Sequence, residues 1–141
     1  QEGLLTDLAS HPRSRYVAEL VGMNLLSGTV RSGVLETGDG ARLVVTADVA
    51  DGPASAVVRP SAIALHRRRP EGSARNTWSL RITDLDRRGD RVRVHLDGPP
   101  ELIAEVTTAG LADLDLRPGD PVWASLKATD VDVQEDRVGS P

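Results

Sequence analysis

The residues in this chain best suited to hold another molecule are small, polar and sparsely charged. Ser73-Ala74-Arg75-Asn76 follows Gly72 and leads into an apolar alternation. Small residues let a backbone turn sharply and point successive N–H groups into one concavity, and such a nest binds an anion. Ser73 adds a hydroxyl donor and Asn76 an amide donor, while Arg75 adds charge or leans outward. A polar turn whose Ser and Asn satisfy their own backbone is the ordinary alternative, and spacing alone favours it. Lys127-Ala128-Thr129 ends an apolar stretch, and a compact ammonium beside a hydroxyl and backbone N–H groups suits an oxyanion. The same lysine would also serve as an edge-strand guard against aggregation. Within Glu105-Val106-Thr107-Thr108-Ala109-Gly110, both threonines are placed to cap a short helix, and capping alone would explain them.

Other chemistries are poorly served. Cysteine is absent, which excludes zinc knuckles and iron–sulfur sites, and His11, His66 and His95 have no ligand-like spacing and read as solvent-exposed. Asp84-Leu85-Asp86 and Asp113-Leu114-Asp115 lack the glycine and terminal glutamate of a calcium loop. There is no Gly-x-x-x-x-Gly-Lys-Ser/Thr phosphate loop and no Gly-x-Ser-x-Gly elbow, so the sequence makes no case for catalysis. A net charge of −4 and only two Trp, one Tyr and no Phe argue against nucleic acid, which asks for basic surfaces and stacking rings. Apolar runs are too short to cross a membrane, so no direct insertion is expected. Sixteen of the seventeen Lys and Arg residues are Arg, which leaves Lys127 alone of its kind.

The elements that must carry these residues are mostly strands. Residues 1–24 read as helical, with Tyr16, Val17, Leu20 and Val21 on one face and Gly22 as a stop. From Leu25 onward short apolar segments alternate with Gly38-Asp39-Gly40 and Asp51-Gly52-Pro53, which is hairpin and loop chemistry. Residues 67–72 read as a linker. Val92, Val94 and Leu96 alternate with polar residues, Leu102 to Thr107 and Pro121 to Leu126 read as strands, and Gly110 to Leu116 as one helical turn. Residues from Glu135 on read as a frayed tail. The fold expected is mainly β, with tandem OB-like barrel halves preceded by a short N-terminal helical segment.

The tandem arrangement rests on two echoes. Asn24-Leu25-Leu26-Ser27-Gly28-Thr29-Val30 resembles Asn76-Thr77-Trp78-Ser79-Leu80-Arg81-Ile82, and Arg59-Pro60-Ser61-Ala62-Ile63 resembles Lys127-Ala128-Thr129-Asp130-Val131. The offset is 52 at the first echo and 68 at the second, so the second copy holds 16 more residues. Their common order points to duplication. The shortfall of the first copy is expected opposite Leu102–Leu116.

In that order, Ser73-Ala74-Arg75-Asn76, Trp78, Ala104-Glu105-Val106-Thr107, Leu116-Arg117-Pro118-Gly119-Asp120 and Leu126-Lys127-Ala128 resemble the Mop family of molybdate-binding modules, a branch of the TOBE domains. The opening through His11-Pro12-Arg13-Ser14-Arg15-Tyr16 and on to Asn24 is similar to the last helices of an ABC importer's ATP-binding subunit. The resemblance implies a piece of a longer protein: residues 1–24 as the tail of the ATPase domain, 25–69 as a degenerate first half, 70–134 as a complete second half, and 135–141 as a tail. It implies molybdate or tungstate as ligand, held between two chains of a homodimer. One chain would supply Ser73, Ala74, Arg75, Asn76, Lys127 and Ala128. Its partner would supply Thr107 and the position of Gly110, where the family often has Ser. About six charge-assisted bonds of roughly 1.5–3 kcal/mol each would support micromolar binding once association costs are met. Pro60 lacks an N–H, so the first half is expected to bind poorly. The resemblance further implies a cytoplasmic regulatory region, peripheral to the membrane through the importer's membrane subunits, that inhibits transport when filled. A ligand-free dimerisation module of another ABC importer is the alternative.

Overall fold

The computed structural model describes residues 22–46, 48–72 and 76–135. Ten strands follow in order: β1 Asn24–Arg31, β2 Val34–Thr37, β3 Arg42–Val44, β4 Gly52–Val58, β5 Ala64–His66, β6 Asn76–Arg88, β7 Arg91–Asp97, β8 Leu102–Thr107, β9 Pro121–Leu126 and β10 Val131–Glu135. Among the described residues one α-helix, α1, covers Thr108–Leu114. Two 3-10 turns, Pro60–Ala62 and Ala128–Asp130, precede β5 and β10.

Period-two patterning builds the strands. In β7, Val92, Val94 and Leu96 are buried while Arg91, Arg93 and His95 point outward to varying degrees. Ser32 and Gly33 both take positive φ, which is the two-residue turn whose twist matches an antiparallel hairpin, and they join β1 to β2. Gly28 is required for a different reason. A Cβ there would lie 1.9 Å from the Glu36 carbonyl oxygen on the neighbouring strand.

The strands form two antiparallel five-stranded sheets, in the orders β10-β4-β1-β2-β3 and β5-β9-β6-β7-β8. Each sheet is thus four successive strands plus the last strand of the other set. β5 pairs with β9 (Ala64↔Ser125, Leu65↔Ala124, His66↔Trp123), and β10 pairs with β4 (Val131↔Val58 through Glu135↔Ala54). Both sheets share one core, in which Val30, Leu35, Leu43 and Val58 join Ile63, Ile82, Val92, Val94, Val122 and Leu126. The fold is mainly β, as expected.

The helical reading of the opening falls on residues 1–21, outside the described residues, and Asn24 already belongs to β1. Glu135 is the last residue of β10 and pairs with Ala54, so the strand extends one residue into the expected tail. The helical turn expected at 110–116 lies two residues earlier, because Thr107 caps it. The extra residues of the second copy fall in two places. Asn24 to Val44 spans 20 positions and Asn76 to Ile103 spans 27; Val44 to Val58 spans 14 and Ile103 to Leu126 spans 23. Seven extra residues therefore lengthen the β6–β7 hairpin and its lead to β8, and nine carry α1, so only the latter sit where the shortfall was expected.

Candidate functional site

Asn76 opens β6 and pairs with Leu126, the last residue of β9. Asn76, the last residue of the Ser-Ala-Arg-Asn run, therefore stands beside the strand end that carries Lys127. Ser73, Ala74 and Arg75 themselves lie outside the described residues. Lys127 is exposed, caps the second 3-10 turn, and accepts at its carbonyl from the Asp130 N–H at 2.9 Å. Among the described residues no carboxylate forms an ion pair with it. β9 is an interior strand flanked by β5 and β6, which removes the reading of Lys127 as an edge guard. Ala128 follows as the first residue of the turn, half-buried.

Asn76 departs from its expected role. It is 3% exposed, its Oδ1 accepts from the Val44 N–H at 2.7 Å, and its Nδ2 donates to the Val44 carbonyl at 3.0 Å. Its amide is committed to β3 of the other sheet and is not offered to a ligand. Asn24 does the same in reverse, with Oδ1 accepting from the Ile103 N–H at 2.8 Å and Nδ2 donating to the Ile103 carbonyl at 2.9 Å. The first echo contained this signal: an asparagine repeated in a half without the Ser-Ala-Arg turn has a structural duty. Trp78, two residues further along β6, donates its indole N–H to the Arg42 carbonyl at 3.1 Å, reinforcing the same junction.

Thr107 ends β8 and is exposed. Its Oγ1 accepts from the Gly110 N–H at 3.0 Å. That bond uses a lone pair and leaves the hydroxyl proton to be donated elsewhere, which suits an acceptor-only anion. It also occupies the Gly110 N–H. Thr107 pairs with Arg91, and Arg91 with Arg88, the end of β6 remote from Asn76. Along its own sheet, then, the Thr107 wall and the Lys127 strand end lie at opposite ends of β6. The first 3-10 turn packs against β8 instead.

The first half offers a poorer set. Arg59-Pro60 replaces Lys127-Ala128 on the same turn geometry, with the Ala62 N–H on the Arg59 carbonyl at 3.0 Å, but Pro60 supplies no N–H. Four residues after Val44, as Thr107 is four after Ile103, stands Asp48. The Thr46 hydroxyl, then Asp48's own backbone N–H, hold its carboxyl below the usual range, so it is ionised and repels an anion. Among the described residues no cluster of His, Asp or Glu is arranged to hold a metal ion, and no helix is long and apolar enough to cross a membrane.

Residues 72–133 match the TOBE domain family. Over 138 residues the chain is 38% identical to the molybdenum import ATP-binding protein ModC of Mycobacterium tuberculosis, a match covering 92% of this chain and 37% of that protein. Over 135 residues it is 31% identical to the molybdate/tungstate import ATP-binding protein WtpC of Pyrococcus horikoshii, covering 94% of this chain and 39% of that one. The chain thus spans under two-fifths of the length of these relatives. Among solved structures, the cytoplasmic molybdate-binding protein ModG with molybdate bound matches at a TM-score of 0.71 and 24% identity, over 79% of this chain and 95% of that one, which is a likeness of fold. The chain carries a TOBE domain at residues 72–133 and is homologous to the C-terminal region of the molybdenum and molybdate/tungstate import ATP-binding proteins.

Proposed function

We propose that this chain is the oxyanion-binding regulatory region of a molybdate or tungstate importer's ATP-binding subunit. In this reading residues 25–69 and 70–134 are duplicated halves and only the second binds. Ser73, Ala74, Arg75, Lys127 and Ala128 of one copy hold the dianion, and the Thr107 hydroxyl of a second copy closes over it. The observation that supports this reading is the Asn76↔Leu126 pairing, which sets Asn76, the residue that follows Ser73-Ala74-Arg75 in sequence, beside the strand end of a lysine without an ion-pair partner among the described residues. The separation of Thr107 from that strand end favours closure by a second copy. So does Asp48 at the corresponding position of the first half, where a carboxylate would oppose an anion. Occupancy would favour one arrangement of the dimer and hold the attached ATPases apart on the cytoplasmic side of the membrane subunits, a feedback by population shift.

A ligand-free dimerisation module is the second reading, and the prior commitment of the Asn76 amide and the Gly110 N–H favours it. Titration calorimetry with sodium molybdate, alongside sedimentation of the dimer, separates the two. The sensor reading expects binding by the wild-type chain and at least a tenfold loss in Lys127→Ala, the effect of about 1.4 kcal/mol or more. A wild-type dimer that binds no molybdate at millimolar concentration overturns it and leaves the scaffold.

A further inference from the structure

Arg67 is the first residue after β5, the strand that residues before the linker contribute to the second sheet. Its side chain is exposed yet engaged. Nε donates to the Leu114 carbonyl and Nη2 to the Asp115 carbonyl, each at 2.5 Å. These carbonyls close α1. The last carbonyls of a helix lack donors within it and carry partial negative charge, so a cation with a planar fork is well matched to two of them. Asp115 holds the left-handed conformation that ends the helix, and its N–H is already spent on Leu111 and Ala112.

The helix is seven residues long, Leu111 is its one fully buried residue, and Leu114 packs partly buried against the core. The Thr108 N–H is held on the Asp90 carbonyl at 2.8 Å, so the start of α1 is tied to the sheet and its last carbonyls are the groups that remain for Arg67. Arg67 holds its C-terminal end, and at the other end the Thr107 hydroxyl receives the Gly110 N–H. The orientation of the Thr107 hydroxyl is therefore tied, through α1, to a residue from the other half of the sequence.

We infer that Arg67 is a positioning residue for the Thr107 hydroxyl, and that through it the first half, which lacks a ligand turn, serves the anion wall of the second. The inference rests on the oxyanion reading above. It is tested by a double-mutant cycle on the full chain, with Arg67→Gln and Thr107→Val and sodium molybdate as the titrant. Arg67→Gln is expected to weaken molybdate binding about fivefold, at the low end of ordinary coupling, in the wild-type background and to add nothing in Thr107→Val. Arg67→Lys, which reaches one carbonyl at a time, should recover part of the loss. An equal loss in both backgrounds, or none in either, overturns the role of Arg67 while the oxyanion reading stands. A wild-type chain that binds no molybdate overturns that reading, and this inference with it.

Discussion

Asn24 and Asn76 occupy the same register position in their two sheets, opposite Val58 and Leu126, and each clasps the backbone of the other sheet. Asn24 takes both polar groups of Ile103, and Asn76 both of Val44. The pair makes a reciprocal lock across the junction. Replacing Asn76 with Ala leaves the Val44 N–H and carbonyl without their partner, at a cost of about 1–3 kcal/mol. Urea denaturation should show that loss for Asn76→Ala and a comparable one for Asn24→Ala. Asn76→Asp should be as harmful, since it loses the Nδ2 donor and buries a carboxylate.

Gly110 is the departure at the proposed anion wall. A Cβ there would meet Thr107 Oγ1 at 3.1 Å, so the threonine side chain must give by a few tenths of an ångström. Gly110→Ser should raise helix propensity and set a second hydroxyl beside Thr107. Calorimetry should show molybdate binding roughly tenfold tighter or more, the value of one further charge-assisted bond.

β10 leaves the second half of the sequence to finish the first sheet. Deleting residues 131–141 should therefore damage a sheet to which the deleted segment is remote in sequence. Amide exchange at Ala54, Ala56 and Val58 on β4 should accelerate well before that of Val92 and Val94 on β7.

Asp48 gives a local pH signature. Its folded carboxyl is depressed by the Thr46 hydroxyl, so the stability it contributes is present above the unfolded value near 3.8 and is lost as pH falls through the lower folded value. Thr46→Val removes the first cause. A carboxyl-carbon NMR titration should then find the Asp48 midpoint moved upward, toward the ordinary aspartate range.

Much of the scaffold was legible because its signals are local. Alternation in Val92–Leu96 and the turn at Arg117–Asp120 need no knowledge of distant partners, and the two echoes fell on β1 and β6 and on the two 3-10 turns. The exchange of β5 and β10 was not legible. A three-residue strand such as Ala64–His66 carries a face preference but nothing that names its neighbour. The clasp made by Asn76 is hidden in the sequence for a related reason. Its polar type fits a ligand turn and a clasp equally well, and Val44 lies 32 residues away with no pattern linking the two. Arg67 looked like linker because its partners are backbone carbonyls, which have no side-chain signature.

The crossing of β5 and β10 has a consequence for damage. A protease that severed the chain between Arg69 and Gly72 would cut the covalent tie without parting the pieces. Each fragment would still be stitched into its sibling's ladder, and the nicked molecule would travel as a single particle until denaturant pulled it apart.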